Sequence, residues 1–197
     1  MPKNKNFKLG KVQMVDLSAH HNSYGYDHSK TTVEVRRVIA KRDFVASFGY
    51  KIPKGTRGGF VQNEQNIAHT GWVADDAVIL GDATVYGIAD GHAIVMGDSM
   101  VFGKAHDECV VKDKTVVHED ATVTGNAIVS GDVWLAGKIT ISGVAHVHGR
   151  IQLAPYPKGE VMCINHDISF DNNFGDAPRV EVLLNPDCAI GDNAWSA

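Results

Sequence analysis

Two pairs of histidines stand where this sequence could do chemistry. His106 is followed by Asp107 and Glu108, and His118 by Glu119 and Asp120. A carboxylate that holds one imidazole nitrogen leaves the other to move a proton, so either histidine is a candidate general base. His146 and His148 flank Val147, and residues two apart in an extended strand share a face about 7 Å apart. Such a pair can hold Zn²⁺ when a third ligand arrives from elsewhere, a neighbouring subunit being one source. Each pair also has a plainer reading. An outward imidazole beside Phe102 packs against apolar neighbours, and two surface histidines need no ion. His20, His21, His166 and Asp167 fall in stretches that read as loops, where solvation is the simpler role.

Composition narrows the classes. The chain has 197 residues, 44% of them hydrophobic, and a net charge of -4. That is ordinary globular composition without the basic footprint of a nucleic-acid binder. No apolar run reaches the roughly 18 residues of a membrane span, and MPKNKNFKLGK lacks the apolar centre of a secretory signal. Cys109, Cys163 and Cys188 cannot make a fully paired disulfide framework. The expectation is a soluble, cytoplasmic protein with neither nucleic acid nor membrane as partner.

A repeat must position these residues. The strings VYGIADGHAIVMGDSM (85–100) and VFGKAHDECVVKDKTV (101–116) align, and around them run hexads such as ILGDAT, VTGNAI, VSGDVW and ISGVAH. The first place is aliphatic, the fifth small, and the third is Gly at 81, 87, 91, 97, 103, 125, 131, 137, 143 and 149. Alternate side chains of an extended chain point to opposite sides, so places one and five face inward. At the bend, Gly supplies a backbone conformation closed to other residues, and Asp82, Asp98, Asn126 and Asp132 add turn chemistry after it. Three segments with three bends close a triangular coil, and stacked coils satisfy each other's backbone groups at a spacing of about 4.8 Å. The predicted fold is an all-β parallel β-helix with coils 67–84, 85–100, 101–116, 117–134 and 135–152. VYGI and VFGK are hexads shortened by two residues, which preserves parity. Three inward columns follow: Ile67, Val85, Val101, Val117 and Leu135 on the first face; Val73, Ala89, Ala105, Val123 and Ile141 on the second; Ile79, Val95, Val111, Val129 and Val147 on the third. Cys109 occupies a small inward place and reads as core.

This pattern resembles the hexapeptide-repeat proteins, which implies a left-handed helix, a homotrimer and, in its acyltransferases, a histidine general base with an acyl-coenzyme A donor. VRRVIAKRDF (35–44), GTRGGFV (55–61) and GWVADDA (71–77) are similar to the YdcK-like acyltransferase subfamily. VHG at 147–149 resembles a metal motif of the gamma-class carbonic anhydrases, although the position of that motif's partner histidine holds Gly143.

Residues 1–60 are expected to form a β cap, 61–153 the helix and 154–197 a β-rich extension, because the open rungs of a β-helix need cover. Outward residues distinguish the faces. The second face, with Trp72, Ala74, Asp90, Lys104, His106, Thr122 and Thr124, should meet water. The first, with Tyr86, Met100, Phe102, Val116, His118 and Trp134, and the third, with Val78, Leu80, Ile94, Met96, Val110 and Ile128, are apolar enough to need covering. Leu80, Tyr86, Ile94, Met96, Phe102 and Trp134 are therefore the expected interface of a homotrimer. The alternative is that residues 154–197 fold over one face.

Three functions follow in order. The first is a non-catalytic oligomeric scaffold that binds a protein or small molecule and needs no cofactor. The second is an acyltransferase using acyl-coenzyme A and His106 or His118. The third is sequestration of an anionic ligand by Lys112, Lys114, Lys138 or Arg150.

Overall fold

Two-residue strands such as Val78–Ile79, Ile94–Val95 and Val110–Val111 each point one side chain away from the solenoid axis and the next toward it. They pair in parallel, so Ile79 lies over Val95, Val95 over Val111, and the column runs on through Val129 to Val147. The second column is stacked likewise from Val73 to Ile141, and the first from Ile67 to Leu135. The computed structural model describes residues 6–17, 32–154 and 161–170. It is all-β, and its centre is a parallel β-solenoid of about five turns. Every residue of the three inward columns is buried, Ile67 at 3% exposure and the others at 0%. The small fifth places fill the corners between columns. Cys109 is fully buried there, and burial pushes its thiol far above the usual range, so it is not a reactive group. Ser99 and Thr115 occupy the same kind of place, with hydroxyls donating to the Met96 and Lys112 carbonyls at 2.7 and 2.8 Å.

The corners use two devices. Gly81, Gly91, Gly97, Gly125, Gly131, Gly137, Gly143 and Gly149 adopt positive φ, as expected for the bend. Gly87 and Gly103, in the shortened hexads, do not. Their coils lie so close that a Cβ would stand 1.9 Å from the Gly103 carbonyl oxygen and 2.1 Å from that of Ala121, respectively. At equivalent bends Asp75, Asp107 and Asp113 also take positive φ. Each turns its carboxylate to the next coil, accepting the N–H of Gly91, Gly125 or Gly131 at 3.2, 3.0 and 2.9 Å. Acid above glycine is therefore a recurring brace at the edges of the prism.

The coils run past residue 153. Leu153 continues the first column below Leu135, Val161–Ile164 pairs in parallel with Lys138–Ile141, and Ile168 registers with Val147. Cys163 on this strand is disulfide-bonded. Among the described residues no helix is long and apolar enough to cross a membrane.

At the other end, β1 (Phe7–Asp16) and β2 (Thr32–Ala40) form an antiparallel pair. Two short strands, β3 (Phe44–Val45) and β4 (Lys51–Ile52), make a hairpin, and β5 (Arg57–Val61) returns to pair with β2. β5 then joins the third face in parallel, Val61 beside Ile79. Phe7, Val38, Ala40, Ala46 and Ile52 share one core with Ile67 and Val73, plugging the open end. Arg37 clamps this cap to the first bend, donating to the Gly58 and Asp75 carbonyls at 2.8 and 2.9 Å while its guanidinium lies 3.9 Å over the Phe60 ring.

The outer faces differ from expectation in two respects. On the third face Val78, Leu80, Ile94, Val110 and Ile128 are already buried in the single chain, in a cluster with Leu17, Val35 and Phe60 and with Val15, Val33 and Met96 at its margin. Leu80 and Ile94 therefore cannot serve as exposed interface residues. On the second face Trp72 does not meet water: it is 2% exposed, with the Phe44 ring of the β3–β4 hairpin edge-on at 5.7 Å. Ile88 beside it is also fully buried. The notion that residues 154–197 cover a face falls mostly outside the described residues.

Candidate functional site

The second face carries a histidine–aspartate pair. Because Ala89 and Ala105 are stacked partners, the residues after them, Asp90 and His106, project side by side from successive coils. The Asp90 carboxylate bonds the His106 Nδ1. Their side chains are 15% and 13% exposed, so water screens the contact little. With Nδ1 held by Asp90, Nε2 is the nitrogen that would move a proton. The β3–β4 hairpin walls this site. Tyr50 packs at its margin, and burial together with the Asp90 carboxylate pushes its hydroxyl above the usual value. Phe48, in the turn between the two strands, lies with its ring 4.8 Å from the Lys104 ammonium.

The acids next to His106 in sequence do something else. Asp107 is at the bend, where its Oδ2 accepts the Thr124 hydroxyl at 2.5 Å and the Gly125 N–H. The Thr124 bond chiefly, with the Gly125 N–H and His106 assisting, holds its carboxyl below the ordinary 3.8. A depressed folded-state value contributes stability that is present above the unfolded value and is lost as pH falls through the folded one. Thr124→Val should therefore flatten the loss of stability expected of the native chain as pH falls below the ordinary carboxylate value of 3.8. Urea melts at several pH values would check this; parallel curves would refute the role given to Thr124.

His118 belongs to a different structure. On the first face Tyr86 and Phe102 stack at 4.2 Å and 10°. His118 follows Phe102 at 5.2 Å, and Trp134 lies 5.6 Å beyond it. Neither Glu119, at an exposed bend with positive φ, nor Asp120 orients this imidazole. Trp134 is 41% exposed and Met100 37%, so this ladder is an apolar surface in the single chain.

His146 and His148 do share an outer face, with ring centroids 5.1 Å apart. His146 Nε2 is 3.4 Å from the Ser130 hydroxyl, and its backbone N–H donates to Asp167 Oδ1. Desolvation first, then His148 and Lys112, lower its basicity. Among the described residues no third ligand joins them. The four candidate cations Lys112, Lys114, Lys138 and Arg150 are divided between two edges of the solenoid. Lys138 is on another corner from the rest, and Arg150 is paired with Asp132 at 3.0 Å.

The class these features define is a capped parallel β-solenoid with an aromatic ladder on one face and a histidine–aspartate pair on another. No protein-family model, no curated protein and no solved structure matches the chain.

Proposed function

We propose that the protein is an oligomeric β-solenoid module whose first face is its binding surface, self-association being the use that surface suits best. The observation behind this reading is the ladder Tyr86, Phe102, His118, Trp134 with Met100 beside it. It combines aromatic side chains, which dominate interface energetics, with a rigid backbone that loses little entropy on docking. Because the third face is covered within the chain, a trimer like that of the hexapeptide-repeat proteins would have to use the first face alone on each subunit. Native mass spectrometry of the wild type should show more than one subunit. Phe102→Glu and Trp134→Glu should each weaken association by about 2 kcal/mol or more, roughly thirty-fold, with the circular dichroism unchanged. A wild-type monomer would remove this reading.

One observation favours a second reading, acyl transfer. The Asp90–His106 pair is the arrangement a general base requires, and it accords with the resemblance to the YdcK-like acyltransferases. In this reading His106 Nε2 takes the proton of a hydroxyl or amine acceptor as that atom attacks the acyl-coenzyme A thioester carbonyl. Calorimetry with acetyl-coenzyme A tests it: binding is expected, and no heat at millimolar ligand would discard the donor.

A further inference from the structure

Beside the Asp90–His106 pair stands a cation that no acid of the described residues neutralises. Lys104 and His106 flank inward Ala105 and therefore project from the same side of the second face. Among the described residues Lys104 has no carboxylate partner. Two acids of this face are committed elsewhere, Asp90 to His106 and Asp107 to Thr124 and Gly125. The ammonium is instead steadied by a ring, Phe48, at 4.8 Å.

That ring is held deliberately. Phe48 sits at φ 57 and ψ 20, a left-handed conformation costly for a bulky residue. Ser47 fixes the turn, its N–H donating to the Thr70 carbonyl at 2.8 Å and its hydroxyl to the Tyr86 carbonyl at 2.7 Å. Two residues on, Tyr50 approaches Asp90 with a hydroxyl that stays protonated and can donate. The hairpin thus brings an aromatic ring and a phenol to the same strip that carries the lysine and the histidine. Below Lys104 the next coil offers Thr122, and below His106 it offers Thr124. These short side chains reach less far than the lysine above them.

From this juxtaposition we infer that Lys104, backed by Phe48, is an anion-binding subsite beside His106, so that the preferred substrate is an acyl compound or acceptor bearing a carboxylate or phosphate. The inference rests on the reading of His106 as a base. An ammonium steadied by an aromatic face rather than by a carboxylate keeps its charge available to an incoming anion. A substrate held there presents its reacting atom to Nε2.

Hydrolysis of two aryl esters separates the two claims. 4-Nitrophenyl benzoate is neutral, and mono-4-nitrophenyl terephthalate differs by one rigid carboxylate that cannot reach its own ester. In either reaction Nε2 removes a proton from water while the water oxygen bonds the acyl carbon. The ester C–O bond breaks, its electron pair leaves on 4-nitrophenolate, and the imidazolium returns its proton to solvent. The wild type is expected to favour the terephthalate ester at least about ten-fold in kcat/KM, one charge-assisted contact's worth. Lys104→Met should bring that ratio to about one and Lys104→Arg should preserve it, while His106→Gln should lower the rate on both esters. Wild-type rates in His106→Gln, or no hydrolysis by the wild type, would overturn the base and the subsite together. A ratio near one in the wild type, or a ratio kept by Lys104→Met, would overturn the subsite and leave the base standing.

Discussion

Val123→Asp is expected to leave no cooperatively folded protein at 25 °C. Val123 is fully buried, with Ala105 above it and Ile141 below in the second inward column. The substitution forfeits about 1.5–3 kcal/mol of apolar burial and adds an uncompensated buried charge worth about 3–5 kcal/mol. Together these rival the whole stability of a domain, about 5–15 kcal/mol. The solenoid makes the damage non-local, because a coil that cannot close leaves its neighbours without backbone partners. The control is one residue away. Thr122 points outward from the same strand, and Thr122→Asp should shift stability by less than about 0.5 kcal/mol. Thermal melts by circular dichroism decide it, and similar midpoints for the two variants would refute the inward columns.

Parity made those columns legible in the sequence. Wherever a side chain's neighbours are set by stacking, aligning the coils also predicts contacts, as the Tyr86–Phe102 pair illustrates. The same alignment places Asp90 opposite His106 in the two sixteen-residue strings, yet sequence adjacency pointed to Asp107 and Glu108 instead. Adjacency misleads here because Asp107 lies at the bend with φ 58 and turns to the coil below. In a solenoid the useful neighbour of an outward residue is sixteen or eighteen positions away. For His118 the same rule would have read Phe102 rather than Glu119.

What could not be read from periodicity is whatever the non-repeating segments do. The burial of Leu80 and Ile94 depends on how the residues around β1, β2 and β5 lie against the third face. The burial of Trp72 depends on a hairpin whose two strands pair through only Phe44, Val45, Lys51 and Ile52. Each placement arises from long-range pairing of irregular chain, for which no repeat supplies a register. The functional consequence is large, because the hairpin walls the histidine–aspartate pair and the β1–β2 side removes one face from the set open to a partner.

A second pair of variants should separate the two reasons for glycine at the bends. Gly81→Ala places a Cβ at φ +64, with its nearest neighbour, the Gly97 carbonyl oxygen, 3.4 Å away. It should cost about 1–2 kcal/mol, the ordinary penalty of a left-handed non-glycine residue. Asp113 bears the same conformation at an equivalent bend, which shows that the coil tolerates it. Gly87→Ala has no such conformational penalty, since Gly87 is not at positive φ. Its Cβ would instead meet the Gly103 carbonyl oxygen at 1.9 Å and that of Phe102 at 2.4 Å. Those carbonyls belong to the coil below, and the ladder fixes them: Gly87 N–H donates to Val101 at 2.9 Å and Ile88 N–H to Gly103 at 3.1 Å. Relief requires the two coils to part, breaking bonds that no side-chain rotation can restore. The expected cost is about 3 kcal/mol or more, at the upper end of overpacking. Urea denaturation of both variants measures the difference. A Gly87→Ala protein as stable as Gly81→Ala would mean that the shortened hexads do not bring their coils into that contact.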